Sequence, residues 1–208
     1  MSAADLMTAS PVGPESNGMH MTPLEFDALQ DWDENFRYEL VNGVLIVVPP
    51  PGAGERSPND ELGYLLRCYR DSGDGTHVID GTLFEQTIIC GENRRRADRV
   101  IWTGLGRAPD PSSDTPTIVV EFVSRSRRDR RRDYEVKREE YLAAGVQEYW
   151  VIDRYQRNMT VFRAEDQAIV IAEDSEYASP LLPGFRLSLG RILARADQYP
   201  DETLDNSR

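Results

Sequence analysis

Apolar residues recur along the chain with two periods, and each change of period marks a new element. Phe26 and Leu29 give one apolar face to a segment that opens Thr22-Pro23-Leu24-Glu25. A Thr N-cap, a Pro at the first helical position and an acid in the first turn predict a helix start there. Residues 38–48 alternate and then turn strongly apolar, and Asn42-Gly43 in their midst predicts a tight hairpin. Pro49-Pro50-Pro51-Gly52 ends that unit. Leu62, Leu65, Leu66 and Tyr69 then fall at helical spacing, predicting a second helix over residues 59–71.

The period returns to two over residues 82–90, turns at Gly91-Glu92-Asn93, and comes back over residues 95–102. After a Gly- and Pro-rich loop at 104–116, residues 117–124 are apolar on both faces, as a central strand is. A basic stretch, 125–132, leads into a predicted helix over 133–144 that Gly145 closes. Residues 146–153 and 159–164 predict two more strands, with a further candidate at 168–172 and a short helix at 189–195. The region 146–164 is expected to present a sheet edge on which a homodimer could form. Mainly antiparallel strands, then a helix, then further strands predict an α/β fold: a mixed central sheet flanked by helices.

A length of 208 residues suits one domain, expected over 21–198 between tails at 1–20 and 199–208. The first tail is rich in Ser, Pro, Ala and Gly, lacks an apolar period, and has neither the basic end nor the apolar run of a signal peptide. No stretch approaches the roughly 18 apolar residues that a bilayer span needs. The expectation is a soluble, cytoplasmic protein with no membrane partner. Cys68 and Cys90 have no metal-site spacing and are expected as reduced thiols. The two histidines, His20 and His77, make zinc sites and histidine triads poor prospects. The net charge of −12 argues against a nucleic-acid partner until its distribution is considered. Residues 94–138 hold 13 basic and 7 acidic residues, a balance of +6, against 11 and 29 elsewhere, a balance of −18. A basic patch on an acidic body can contact phosphates, and it can equally be a solvated face.

Glu121 shares a strand face with Val119 and Val123, and a carboxylate in such a run is costly to bury unless paired or coordinated. Asp98 alternates with Val100 and Trp102 and is expected to point the same way. Two acids on neighbouring strands can present oxygens to one hard cation such as magnesium, or simply pair with arginines. Lys137 is the only lysine beside 23 arginines. Such an exception points to a place where a compact ammonium serves and a planar guanidinium does not. With Tyr134 and Tyr141 it forms an inward helical stripe, where the plain alternative is a lysine whose stem covers apolar surface.

Asp98, the run Val119-Val120-Glu121-Phe122-Val123-Ser124, and the stretch from Asp133 through Lys137, Tyr141 and Gly145 to Tyr149-Trp150 and Asp153 together resemble the "putative restriction endonuclease" (Uma-type) family of the PD-(D/E)XK nuclease superfamily. Tyr38-Glu39-Leu40-Val41-Asn42-Gly43 resembles its N-terminal signature, and the similarity spans residues 21–196. The resemblance implies a restriction-endonuclease-like core and a metal-dependent endonuclease acting on DNA. Asp98 and Glu121, with the carbonyl of Phe122, are then metal ligands for magnesium, with manganese as a substitute. Val123 occupies the usual lysine position, and Lys137 takes that role from the following helix. The resemblance also implies that Glu39 supplies an additional carboxylate. Separately, Arg125, Arg127, Arg128, Arg130, Arg131 and Arg132 of the basic stretch are expected to hold the nucleic-acid backbone. Ala97 stands where a proline is usual, Val44 where Glu is frequent, and Arg125 and Arg127 where Pro and Thr are. The alternatives are a catalytically silent nucleic-acid-binding module and a structural protein whose acids all sit in salt bridges.

Overall fold

The computed structural model describes residues 11–72, 78–124, 131–164 and 167–199. Helix α1 (Pro23–Ala28) starts at a full capping box, with Thr22 and Glu25 each bonding the other's backbone N–H. Strands β1 (Arg37–Val41) and β2 (Val44–Val48) form the expected hairpin. Its turn places Asn42 and Gly43 at φ 52° and 73°, the left-handed pair of a type I′ turn. Helix α2 (Ala53–Arg70) begins six residues earlier than the sequence predicts and runs through Pro58. Proline lies close enough to the helix start that the turn before it survives, Glu55 and Arg56 both donating to the Gly52 carbonyl.

Strands β3 (Ile79–Cys90) and β4 (Asn93–Thr103) pair antiparallel along their whole length, and β5 (Ile118–Phe122) is buried at every residue. A π turn (Arg132–Val136) leads into α3 (Lys137–Ala143). Strands β6 (Glu148–Asp153), β7 (Asn158–Phe162) and β8 (Ile169–Ala172) follow. A small ladder of β9 (Glu176–Tyr177) with β10 (Leu187–Ser188) precedes α4 (Leu189–Asp197). The main sheet has eight strands in the order β2-β1-β4-β5-β6-β7-β8, with β3 beside β4. Its pairs are antiparallel except β5–β6, which is parallel. This is the expected α/β class with a mixed central sheet.

One face of the sheet packs Ile118, Val120, Phe122 and Trp150 against Leu62 and Leu66 of α2 and Ile192 and Leu193 of α4. The other packs Val119, Val123, Tyr149 and Val151 against Tyr141 of α3. The division of β5 into two faces is the one its alternation predicts. No helix among the described residues is long and apolar enough to cross a membrane.

Two expectations are corrected. Residues 11–20 are not a loose tail: Val12 is buried, its carbonyl accepts from the Tyr38 hydroxyl, and Met19 and Gly18 bond Leu45 of β2. The region 146–164 is not a sheet edge, because β6 lies between β5 and β7 and β8 covers β7. Cys68 is exposed and Cys90 buried, both free.

Candidate active site

β3 takes one edge of β4, so β1 and β5 must share the other. β1 meets β4 at Arg94 and β5 meets it at Arg99, Val100 and Ile101. Between those contacts, residues 95–98 face a gap where β1 and β5 part. Here the alternation of β4 slips. Ala97 lies in the core on the α3 side, yet Ile101, four residues on, lies in the core on the α2 side. Opposite Asp98, Glu85 of β3 sits at φ 53°, and the register passes from Phe84↔Arg99 to Gln86↔Ala97 without it. Both strands exchange faces at this crossing. Asp98 therefore does not share a direction with Val100 and Trp102, as simple alternation predicts; it points into the gap.

There Asp98 accepts from Arg37 Nη2 at 2.7 Å through Oδ1, and from the Phe122 backbone N–H at 2.8 Å through Oδ2. Its own carbonyl takes the Asn59 side-chain amide at 2.8 Å, and Arg99 in turn holds Asn59 Oδ1 at 2.6 Å. Strands β1 and β5 thus fasten the Asp98 carboxylate, and helix α2 fastens its backbone carbonyl.

Glu121 leaves β5 on the α3 side, 3% exposed. Its Oε1 accepts from Lys137 Nζ at 2.8 Å and from the Tyr141 hydroxyl at 2.9 Å. No described residue donates to Oε2. Burial, opposed by the Lys137 ammonium and reinforced by Asp98 and Asp133, pushes its carboxyl up to about 8. Glu39, buried in β1, accepts from the Arg96 backbone N–H and from Arg95, each at 3.1 Å, and lies 3.3 Å from Lys137 Nζ. Burial alone would raise Glu39; Lys137, Arg95 and Arg132 outweigh it and hold the carboxyl at about 2.

Lys137 is 2% exposed and is placed by the π turn, whose closing bond runs from its own N–H to the Arg132 carbonyl. Such one-residue widenings of a helix are frequent at functional sites. Besides Glu121 and Glu39, its ammonium bonds the Arg96 carbonyl at 3.2 Å and faces Asp133 at 3.9 Å. Burial works against its charge, and the three carboxylates more than compensate, so the ammonium stays protonated. One cation shared among three acids also explains why Glu121 is still raised.

Asp98, Glu121, Lys137 and Glu39 all line one cleft of about 270 Å³, with Phe122, Asp133 and Arg132 on its wall. Arg131 points outward, ion-paired to Glu135 at 2.9 Å, while Arg125, Arg127, Arg128 and Arg130 lie outside the described residues. Sequence reasoning passed over Arg37, Asp133, Tyr141 and Glu55 as site residues. Burial followed by the Asp98 charge pushes Glu55, on the first turn of α2, up to about 7. Asp133 and Tyr141, at −4 and +4 from Lys137, carry a local signal; Arg37 and Glu55 carry none, being brought in by β1 and α2.

The donor chemistry suits a hard divalent cation. A carboxylate offers about four lone-pair positions, of which Asp98 and Glu121 each use two. Among the described residues no three His, Cys, Asp or Glu side chains form a ready-made cage. Two carboxylates with lone pairs left over can hold a hard cation when substrate oxygens and waters complete its shell.

No curated protein matches the chain in sequence. A crystal structure described as that of a "putative nuclease belonging to DUF820" from Anabaena variabilis superposes with a TM-score of 0.69 at 16% identity, covering 85% of this chain and 99% of that one. The likeness establishes a shared fold. The model of the Uma2 family, described as "Putative restriction endonuclease", matches residues 24–190, which include β1, β4, β5 and α3 and so every side chain of the cleft. The chain belongs to that family.

Proposed function

We propose that the protein is a metal-dependent endonuclease that hydrolyses phosphodiester bonds in DNA, with Asp98 and Glu121 as its metal ligands. The observation that carries this reading is the buried Glu121, bound to Lys137 at 2.8 Å in the same cleft as Asp98, in a chain of a nuclease-type family. Asp98, Glu121 and the Phe122 carbonyl would hold magnesium, or manganese in its place. When bound, the ion supplies Lewis-acid polarisation of the scissile phosphate and a more acidic water.

The chain's own residues supply the rest. Arg37 and the Phe122 N–H keep Asp98 in one orientation, so its remaining lone pairs face the gap. Tyr141 and Lys137 do the same for Glu121, leaving Oε2 to the cleft. The Lys137 ammonium is charged and preorganised by Glu39, placed to orient a water or to hold charge developing on a phosphate oxygen. Arg132, on the cleft wall, and the basic segment before it meet the nucleic-acid backbone.

The test is cleavage of supercoiled, linear and single-stranded DNA with magnesium, manganese or chelator, for the wild type and Asp98→Asn. Cleavage that needs the metal and Asp98 is the expected result. DNA binding with no cleavage under any metal would leave the chain a silent nucleic-acid-binding module.

A further inference from the structure

A second cleft, of about 310 Å³, adjoins the first and shares Arg37, Arg96, Pro50 and Pro51 with it. Phe84, a residue 66% exposed, lines this second cleft together with Phe36. Single exposed apolar residues are ordinary on protein surfaces. Phe84 differs in its placement: it immediately precedes Glu85, the left-handed residue opposite Asp98, so the crossing that aims Asp98 inward also sets Phe84 on the neighbouring rim.

The charges around this ring have both signs. Arg56 is exposed at the mouth, and Arg96 stands between the two clefts, reaching Glu85 only at 3.5 Å. Asp60, Glu34 and Glu85 add carboxylates on the same lining. An aromatic face, flanking guanidinium groups and carboxylates that accept from amino groups complement a nucleotide. A base has a π-face and an edge of donors and acceptors, and its phosphate is an anion.

We propose that this second cleft receives an unpaired nucleobase next to the scissile phosphate, stacked on Phe84, with Arg56 and Arg96 on the adjoining phosphate. The proposal rests on the nuclease reading of the first cleft and names its substrate class: DNA with an unpaired position, such as a single strand or a bulge. A base inside a regular duplex is stacked on both sides and has no free face to offer.

The experiment measures binding of the full chain, in chelator so that nothing is cut, to three oligonucleotides: a single strand, a duplex with one bulged 2-aminopurine, and a blunt duplex. Phe84→Ala is expected to weaken the first two on the order of tenfold, the scale of one base–aromatic stack, and to leave the blunt duplex unchanged. Phe84→Trp restores binding, and 2-aminopurine quenching seen with the wild type is lost in Phe84→Ala. Equal weakening on all three substrates, or no quenching with the wild type, overturns the proposal. Melting temperatures confirm that Phe84→Ala folds. Metal-dependent cleavage of a blunt duplex that is indifferent to Phe84→Ala would sink this inference while sparing the nuclease reading. Quenching without cleavage in any metal would do the reverse.

Discussion

Lys137 is where charge and chemistry can be separated. Its ammonium fills a space bounded by Glu39, Glu121, Asp133 and the Arg96 carbonyl, and a guanidinium is larger and planar. Lys137→Arg is predicted to fold with a lowered melting temperature, since overpacking a tight site costs about 1–3 kcal/mol. Its single-turnover cleavage is predicted to fall about a hundredfold, the scale of a misplaced catalytic group, while DNA binding in chelator holds; near-normal cleavage would remove Lys137 from the mechanism. Lys137→Met leaves buried acids uncompensated and should cost about 3–5 kcal/mol in denaturant unfolding. The acids also predict a pH dependence with two opposite signs. Glu39, held at about 2, contributes stability that is complete above its ordinary 4.5 and is lost as pH falls toward 2. Glu121, raised to about 8, acts in reverse: its contribution is present below 4.5 and is lost as pH rises toward 8. Unfolding of metal-free Glu121→Gln, followed from pH 5 to 9, should therefore lose less stability toward alkaline pH than the wild type; parallel profiles would contradict the shift.

At the scale of elements, α2 is held to β4 by a close approach. A Cβ on Gly63 would stand 2.6 Å from Arg99 Nη2 and 2.8 Å from its Cζ. Arg99 cannot easily yield, because it is buried and its guanidinium bonds both the side chain and the carbonyl of Asn59. Helix propensity favours Ala over Gly by roughly 0.5–1 kcal/mol, and the clash acts in the opposite direction. Gly63→Ala is accordingly predicted to destabilise by about 1–2 kcal/mol on the scale of overpacked cores. It should also slow cleavage, since Asn59 steadies the Asp98 carbonyl. A rise in melting temperature would show that propensity wins.

For the molecule as a whole, the net charge of −12 opposes DNA, and only the basic region can draw it in. Phosphate contacts release counterions, so affinity falls with salt with a slope of about 0.9 per phosphate neutralised. Arg132 lines the cleft, and Arg131 lies beside it on the surface. Replacing both with Ala is predicted to lower the slope of log affinity against log salt by about two, alike for every DNA sequence. An unchanged slope would place the DNA path elsewhere on the surface.

Much of this architecture is legible in the chain because it depends on neighbours in sequence. The β1–β2 hairpin follows from Asn42-Gly43, which tolerate the positive φ of the turn. The central place of β5 follows from an apolar run that needs cover on both faces, and Glu121 and the lone Lys137 stand out against that background. Other features were decided by contacts that no local pattern records. Asp98 owes its direction to the crossing of β3 and β4 at Glu85, and its fastening to Arg37, 61 residues earlier. Helix α2 runs through Pro58 and so brings Glu55 to the cleft, while residues 11–20 are ordered only because β1 and β2 offer them an apolar floor. Periodicity reports which side of an element is apolar; where a carboxylate finally points depends on which strands pair and where their register slips, and that is settled only when distant segments meet.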